Sequence, residues 1–462
     1  MSRRIQEQRR RQHNNVLETL RSRQLVQAVT SEDMSKRVEK PVAVYCGVDP
    51  TAASLHLGNM VTLMGLLHFH LAGHRAIPVV GSATGMIGDP SGRSTERVAL
   101  EAQELAQNVS GIEAQLRRFF ARGAEYAMGR MEGLDTAGLQ QVQVLRNDEW
   151  YSGMGVLEFL GKVGRHARIG TMMARDSVRT RLQSEQGISF TEFSYQLLQA
   201  YDFWYLYRHH GCRVQVGGSD QWGNITAGTD LIHRMCSSAG ETNAEAAYGL
   251  TIPLLTTASG AKFGKSAGNA LWLDEQRTSA FDVYQFFVRT TDGDVERQLK
   301  QLTLLPLEQI SQTMVEHARA PERFTAQRLL AAEVTELLHG SAGVRQAQCA
   351  TEVLFGAGEG CEQRFTAQDF AQAFAGDRRM VAVARTQVAG LGIDAIAVLA
   401  GACKSKAEAA RLARGGGLYW NGRAVSDSKW KPRVDNGDFV GGGTIGVIRT
   451  GKANHRVVRI VD

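Results

Sequence analysis

Residues 41–71 allow few folds. The stretch 41–48 is an apolar, β-branched run, which predicts a buried strand. Asp49-Pro50 ends it as a turn, and Met60, Leu63, Met64, Leu67 and Leu71 then recur at helical spacing. A strand, a short loop and a helix start, in that order, leave unpaired backbone N–H groups and the positive end of the helix dipole at one point. That arrangement suits phosphate. Gly58 lets a ligand approach the backbone closely, and His56 can donate hydrogen bonds to a polyphosphate.

The alternation continues. Residues 76–80, 142–145, 212–216 and 250–255 read as further strands, and 95–121, 154–163, 191–210 and 224–234 as helices. Strands alternating with helices predict an α/β domain with a mostly parallel sheet, whose ligands sit at the carboxyl ends of the strands. Asp49 and Asp220 fall at or just past such ends. Tyr45 lies on the first strand, and Asp89 closes the glycine-rich loop 81–88. On the 191–210 helix, Tyr195, Gln199 and Asp202 are spaced i, i+4, i+7 and share a face. Aromatic and apolar neighbours (Phe193, Leu197, Tyr201, Trp204) surround these polar groups, so they need partners. Cys46 either lines the site or fills the core beside it.

From 279 to about 373 the periodicity is helical with almost no strand signal, and it lapses across 376–388, which predicts a linker. The last stretch reads as two short helices (393–400 and 404–414), an Asn421-Gly422 hairpin turn and strands at 445–448 and 457–460. Lys404, Lys406, Arg411, Arg414 and Arg423 make it basic. At the other end Arg3, Arg4, Arg9, Arg10 and Arg11 face a single acid, Glu7, as in a mitochondrial presequence or a solvated basic tail. The six cysteines include no C-x-x-C pair, which argues against a zinc site or a disulfide framework and fits a reducing compartment. No apolar run is long enough to span a bilayer.

The segment Tyr45-Cys-Gly-Val-Asp-Pro-Thr-Ala-Ala-Ser-Leu-His-Leu-Gly-Asn59, with Lys262-Phe-Gly-Lys-Ser266 far downstream, resembles the paired signatures of class I aminoacyl-tRNA synthetases. Gly88-Asp-Pro-Ser-Gly-Arg93, Thr191-Glu-Phe-Ser-Tyr-Gln-Leu-Leu-Gln-Ala-Tyr-Asp202 and Gly217-Gly-Ser-Asp-Gln-Trp-Gly-Asn224 extend the likeness to tyrosyl-tRNA synthetases over nearly the whole chain from about Pro41. Asn59, Arg93 and Lys265-Ser-Ala-Gly-Asn269 resemble the mitochondrial enzymes, fungal ones among them, more than bacterial ones.

The resemblance implies a basic extension (1–40), a Rossmann-like catalytic domain (41–275) and a helical anticodon-binding domain (276–375). The linker 376–388 then leads to a small α+β RNA-binding module (389–462) like one in a ribosomal small-subunit protein. It implies activation of tyrosine with ATP, then transfer of the tyrosyl group to the 3′ end of tRNA(Tyr), by a homodimer away from membranes. The mitochondrial matrix is the implied compartment, with a bacterial cytoplasm as the alternative. By the same resemblance Tyr45, Asp89, Tyr195, Gln199, Asp202 and Gln221 surround tyrosine. Asp202 would take the phenol proton's hydrogen bond, and Asp89, Tyr195 and Gln199 would hold the ammonium. Asp49, Gly58, Asp220, Leu255 and Lys265 meet ATP. Thr51, His56, Lys262, Lys265 and Ser266 stabilise the departing pyrophosphate. Mg²⁺ is implied as held mainly by the ATP phosphates, without a dedicated protein site. Asn59 stands where the signature has a second histidine.

Three rivals remain. A tryptophanyl enzyme shares the fold and chemistry, but Asp202 with Tyr45 suits a phenol better than an indole. A non-catalytic RNA-binding protein on the same scaffold would have little use for His56, Lys262 and Lys265. A dinucleotide oxidoreductase lacks its G-x-G-x-x-G after the first strand.

Overall fold

In this computed structural model the described residues are 15–92, 95, 100–131, 133–134, 138–256, 270–355, 364–433, 437–451 and 454–461. Two compact units emerge from the packing. The first comprises Met1–Thr278 with Thr290–Ala326, the second Ser279–Arg289 with Gln327–Asp462. Residues 276–375, expected as one helical domain, divide between them. No helix among the described residues is long and apolar enough to cross a membrane.

The first unit is built on a six-stranded sheet: β1 (Ala28–Val29), β2 (Ala43–Val48), β3 (Arg75–Val80), β4 (Leu145–Arg146), β5 (Cys212–Gly218) and β6 (Tyr248–Ile252). Their spatial order is β1-β6-β5-β2-β3-β4. Only the edge strand β1 runs antiparallel to its neighbour. Chain order reverses around β2, which lies between β3 and β5. The carboxyl ends of β2 and β5 therefore frame a switch-point crevice, where α/β sheets bind ligands.

Helices cover the sheet. The first, α1 (Leu57–Leu71), joins β2 to β3 and is buried almost all round, including His68 and His70. The second, α2 (Ala102–Met128), is amphipathic and starts and ends later than the expected 95–121. Gly123 does not break it, because a Cβ there would come within 2.8 Å of Leu67 on α1; the glycine permits close helix packing.

The third, α3 (Phe190–His210), starts at Ser189, whose Oγ accepts the Glu192 N–H at 3.3 Å, and stops at Gly211 in the left-handed region, φ 63°. A fully buried ion pair, Arg181 to Glu192 at 2.8 Å, holds its first turn, and Arg181 also reaches the Gly187 carbonyl. The fourth, α4 (Trp222–Ser238), lies between β5 and β6.

The second unit carries a five-stranded sheet: β7 (Met380–Ala384), β8 (Leu418–Trp420), β9 (Arg423–Ala424), β10 (Ile445–Thr450) and β11 (Asn454–Val461), ordered β7-β11-β10-β8-β9. Residues 376–388, expected as a linker, thus contain β7, paired in parallel with β11. Its Met-Val-Ala-Val-Ala sequence is too short and small to signal a strand alone; a distant partner makes it one. One face of the sheet packs on the helices Ile393–Leu399 and Lys406–Arg414. From the other face, Ile445, Val447 and Val457 share a core with Cys349, Val353 and Leu354 of the preceding helical stretch. That stretch, Thr325–Phe355, is broken at Gly340.

Candidate active site

A cavity of about 270 Å³ opens at the switch point. It brings together every described candidate: Tyr45, Asp49, Thr51, His56, Gly58, Asp89, Tyr195, Gln199, Asp202, Asp220, Gln221 and Leu255. Lys262, Lys265 and Ser266, like Arg93 and the basic stretch 1–14, lie outside the described residues.

At the closed end Asp202 is 5% exposed. Trp150 Nε1 donates to its Oδ1 at 2.8 Å and Asn147 Nδ2 to its Oδ2 at 3.2 Å. Burial pushes the Asp202 carboxyl up to about 7, against the pull of these hydrogen bonds. Tyr45 comes from β2, stacks obliquely on Phe203 at 5.2 Å, and buries a hydroxyl that has no partner. Burial first, then the Asp202 charge, holds that phenol well above its ordinary range, so it stays a donor. The pair offers one donor and one acceptor to a polar tip entering the cavity.

Along one wall, Tyr195 donates to Asp49 Oδ2 at 2.6 Å and Thr84 Oγ1 to Asp49 Oδ1 at 2.9 Å. Burial, then the Asp49 and Asp89 charges, keeps the Tyr195 phenol protonated. Gly81 is needed beside them, since a Cβ there would fall 2.1 Å from Asp49 Oδ1. Opposite, Asp89 accepts from Gln221 Nε2 at 2.6 Å and from the Ser91 N–H at 2.9 Å. Gln199 Nε2 donates to Gln221 Oε1 at 3.2 Å. This wall carries acceptor oxygens and negative charge, which suits a cationic group.

At the open end His56 takes the N-cap position of α1. Its ring folds over Gly58, where a Cβ would meet it at 2.8 Å. Asn59 Oδ1 accepts the His56 backbone N–H at 3.0 Å, a capping contact that gives the departed signature position a structural task. Thr51 is exposed in the turn before it. Residues 271–273 return antiparallel to this turn, with Leu57 N–H on the Leu271 carbonyl at 2.9 Å and Leu273 N–H on the Leu55 carbonyl at 2.8 Å. Asp220 sits in the turn after β5, and Gly218 leaves room for its carboxylate. Cys46 lines the cavity, and burial pushes its thiol up to about 12, so it stays protonated.

Sequence reasoning missed Thr84, Asn147, Trp150, Gln215 and Asn224. Gln215 left a signal: an amide within an apolar strand, now 2% exposed with Oε1 unpartnered. Asn147 and Trp150 left none, because their partner Asp202 belongs to a different part of the chain. Among the described residues no group of three or more His, Cys, Asp or Glu is placed to hold a metal ion.

The family model for tRNA synthetases class I (W and Y) matches residues 36–356. The chain is 42% identical to a tyrosine–tRNA ligase of Anaeromyxobacter dehalogenans, over 96% of this chain and 99% of that one. It is also 42% identical to a mitochondrial tyrosine–tRNA ligase of Drosophila melanogaster, over 90% and 87%. Among solved structures, a C-terminally truncated mitochondrial tyrosyl-tRNA synthetase of Aspergillus nidulans matches with TM-score 0.68 and 36% identity, covering 74% of this chain and 94% of that one.

Proposed function

The chain belongs to the class I tRNA synthetases for tryptophan and tyrosine, and from that premise we propose how its site works as a tyrosine–tRNA ligase of the mitochondrial type. The enzyme activates L-tyrosine with ATP and passes the tyrosyl group to tRNA(Tyr). The observation that carries the choice of tyrosine is the closed end of the cavity: a dry carboxylate beside an unpartnered phenol. A substrate hydroxyl donates to Asp202 and accepts from Tyr45. An apolar ring tip would leave both unpaired, at a penalty of about 1–3 kcal/mol each.

With the phenol so placed, the ammonium meets Asp89, Tyr195, Gln199 and Gln221. The carboxylate points toward the open end, where Asp49, Gly58, Asp220 and Leu255 receive the nucleotide. That carboxylate is already ionised, so its attack on the α-phosphorus needs no protein base. Rate comes from alignment and from stabilising charge on the leaving pyrophosphate. Thr51 and His56, with Lys262, Lys265 and Ser266, take that task, and Lys265 also contacts ATP. Mg²⁺ would be held mainly by the ATP phosphates, where it neutralises their charge.

The second unit, with Lys404, Lys406, Arg411, Arg414 and Arg423, supplies a basic RNA-binding surface for tRNA(Tyr). Val156 (71% exposed) and Leu157 (82%), with Phe190 (77%) further along the first unit, are large exposed apolar side chains that would be covered in a homodimer; a monomeric mass in solution would contradict this. The mitochondrial relatives support residence in the matrix, and a full-length fusion that stays diffuse in the cytosol would contradict it. Pyrophosphate exchange, with amino acids offered singly, tests the function. Only tyrosine should support exchange; exchange driven equally by tryptophan would overturn the assignment.

A further inference from the structure

Asn224 is buried in the first turn of α4. Its Nδ2 lies 3.3 Å from Asp89 Oδ1, 3.3 Å from Ser91 Oγ, 3.1 Å from Gln199 Oε1 and 3.1 Å from Gln221 Oε1. A side-chain amide has two hydrogens, so four acceptors share two protons. The Asp89 carboxylate sets the polarity of the cluster. Gln221 must present Nε2 to it, at 2.6 Å, which turns Oε1 toward Asn224. Gln199 then gives Nε2 to that oxygen at 3.2 Å, which turns its own Oε1 the same way. The outcome is a single amide nitrogen, Asn224 Nδ2, shared by oxygens of four side chains.

We propose that Asn224 is a positioning residue that preassembles the subsite for the α-ammonium of the amino-acid substrate. This rests on the tyrosine reading above and goes beyond it by naming the group that holds the subsite ready. An ammonium brings three N–H donors on one cationic atom, which is what an acceptor-rich cluster around a two-hydrogen amide lacks. Without the Asn224 amide, the converging oxygens repel and turn toward other donors. The ammonium must then reorder them, and affinity falls by the cost of that reordering. The phenol and carboxylate of the substrate are untouched by this loss.

The test is tyrosine-dependent pyrophosphate exchange by the full-length Asn224→Ala protein, with desaminotyrosine as a competitive inhibitor. Desaminotyrosine keeps the phenol and carboxylate and lacks the amine. The KM for tyrosine should rise about tenfold, on the scale of one buried hydrogen bond to a charged cluster. The KM for ATP and the inhibition constant of desaminotyrosine should stay at their wild-type values. Equal weakening of tyrosine and desaminotyrosine would mean general damage to the pocket and would overturn the proposal, as would an unchanged tyrosine KM. Should the alanine protein not fold, Asn224→Ser is read against the same two ligands, with the same split expected. A wild-type protein without tyrosine-dependent exchange would defeat the underlying reading, whereas failure of the split in an active enzyme defeats only the role of Asn224.

Discussion

The two ends of the cavity are made of different material. At the closed end the polar groups are side chains taken out of water: Asp202 and Tyr45 are 5% and 1% exposed, and Trp150 and Asn147 fix the carboxylate. At the open end the organising contacts are largely backbone: the start of α1, the close approach at Gly58 and the pairing of residues 55–57 with 271–273. Distinguishing one hydroxyl requires donors and acceptors already dehydrated and held still, so that a wrong ligand leaves them unpaired. Holding a polyphosphate requires N–H groups and positive charge within reach, and tolerates solvent.

If that division is right, damage at each end should show in different kinetic constants. The largest effect concerns the nucleotide, through the role proposed for Lys265. Lys265→Ala should lower the saturated rate of adenylate formation by about a hundredfold or more, because it removes charge that matters most as pyrophosphate leaves. The KM for tyrosine should hardly move. Single-turnover measurements with tyrosine and ATP varied separately check this. A weakened tyrosine KM with an unchanged saturated rate would erase the division.

A smaller effect sharpens the closed end. Burial raises the Asp202 carboxyl to about 7, and a phenol donates more strongly to its ionised form. Tyrosine binding should therefore be complete above that pH and weaken as pH falls through it, with KM rising at most about tenfold per unit. The KM for ATP should not follow this curve. Trp150→Phe deletes one hydrogen bond that favours the carboxylate, so the bend in the tyrosine KM profile should move a little to higher pH. A tyrosine KM that is flat across neutrality would show that ionisation of Asp202 does not govern tyrosine binding.

The ends also differ in how much of them the sequence revealed. Tyr195, Gln199 and Asp202 were legible because helical spacing is local, and the structure sets all three against the cavity on α3. The strand-to-helix junction at His56 and Gly58 was legible for the same reason. The supports of the closed end were not. Asn147 and Trp150 reach Asp202 from 55 and 52 residues away, and nothing in a short window signals such a meeting. The second unit repeats the lesson, since β7 becomes a strand only by pairing with β11, and the face formed by Ile445 and Val457 is covered by a helix ending at Phe355. Deleting residues 391–462 would therefore strip a core as well as a basic surface, and RNA binding is better probed by replacing single basic residues.

The central claim is that Asp202 reads the substrate hydroxyl. The most direct test is pyrophosphate exchange by folded Asp202→Ala protein, with tyrosine and phenylalanine compared by kcat/KM. The preference for tyrosine should fall by at least about tenfold, chiefly because tyrosine loses a buried acceptor that phenylalanine never used. A folded Asp202→Ala enzyme that rejects phenylalanine as strongly as the wild type would contradict the account.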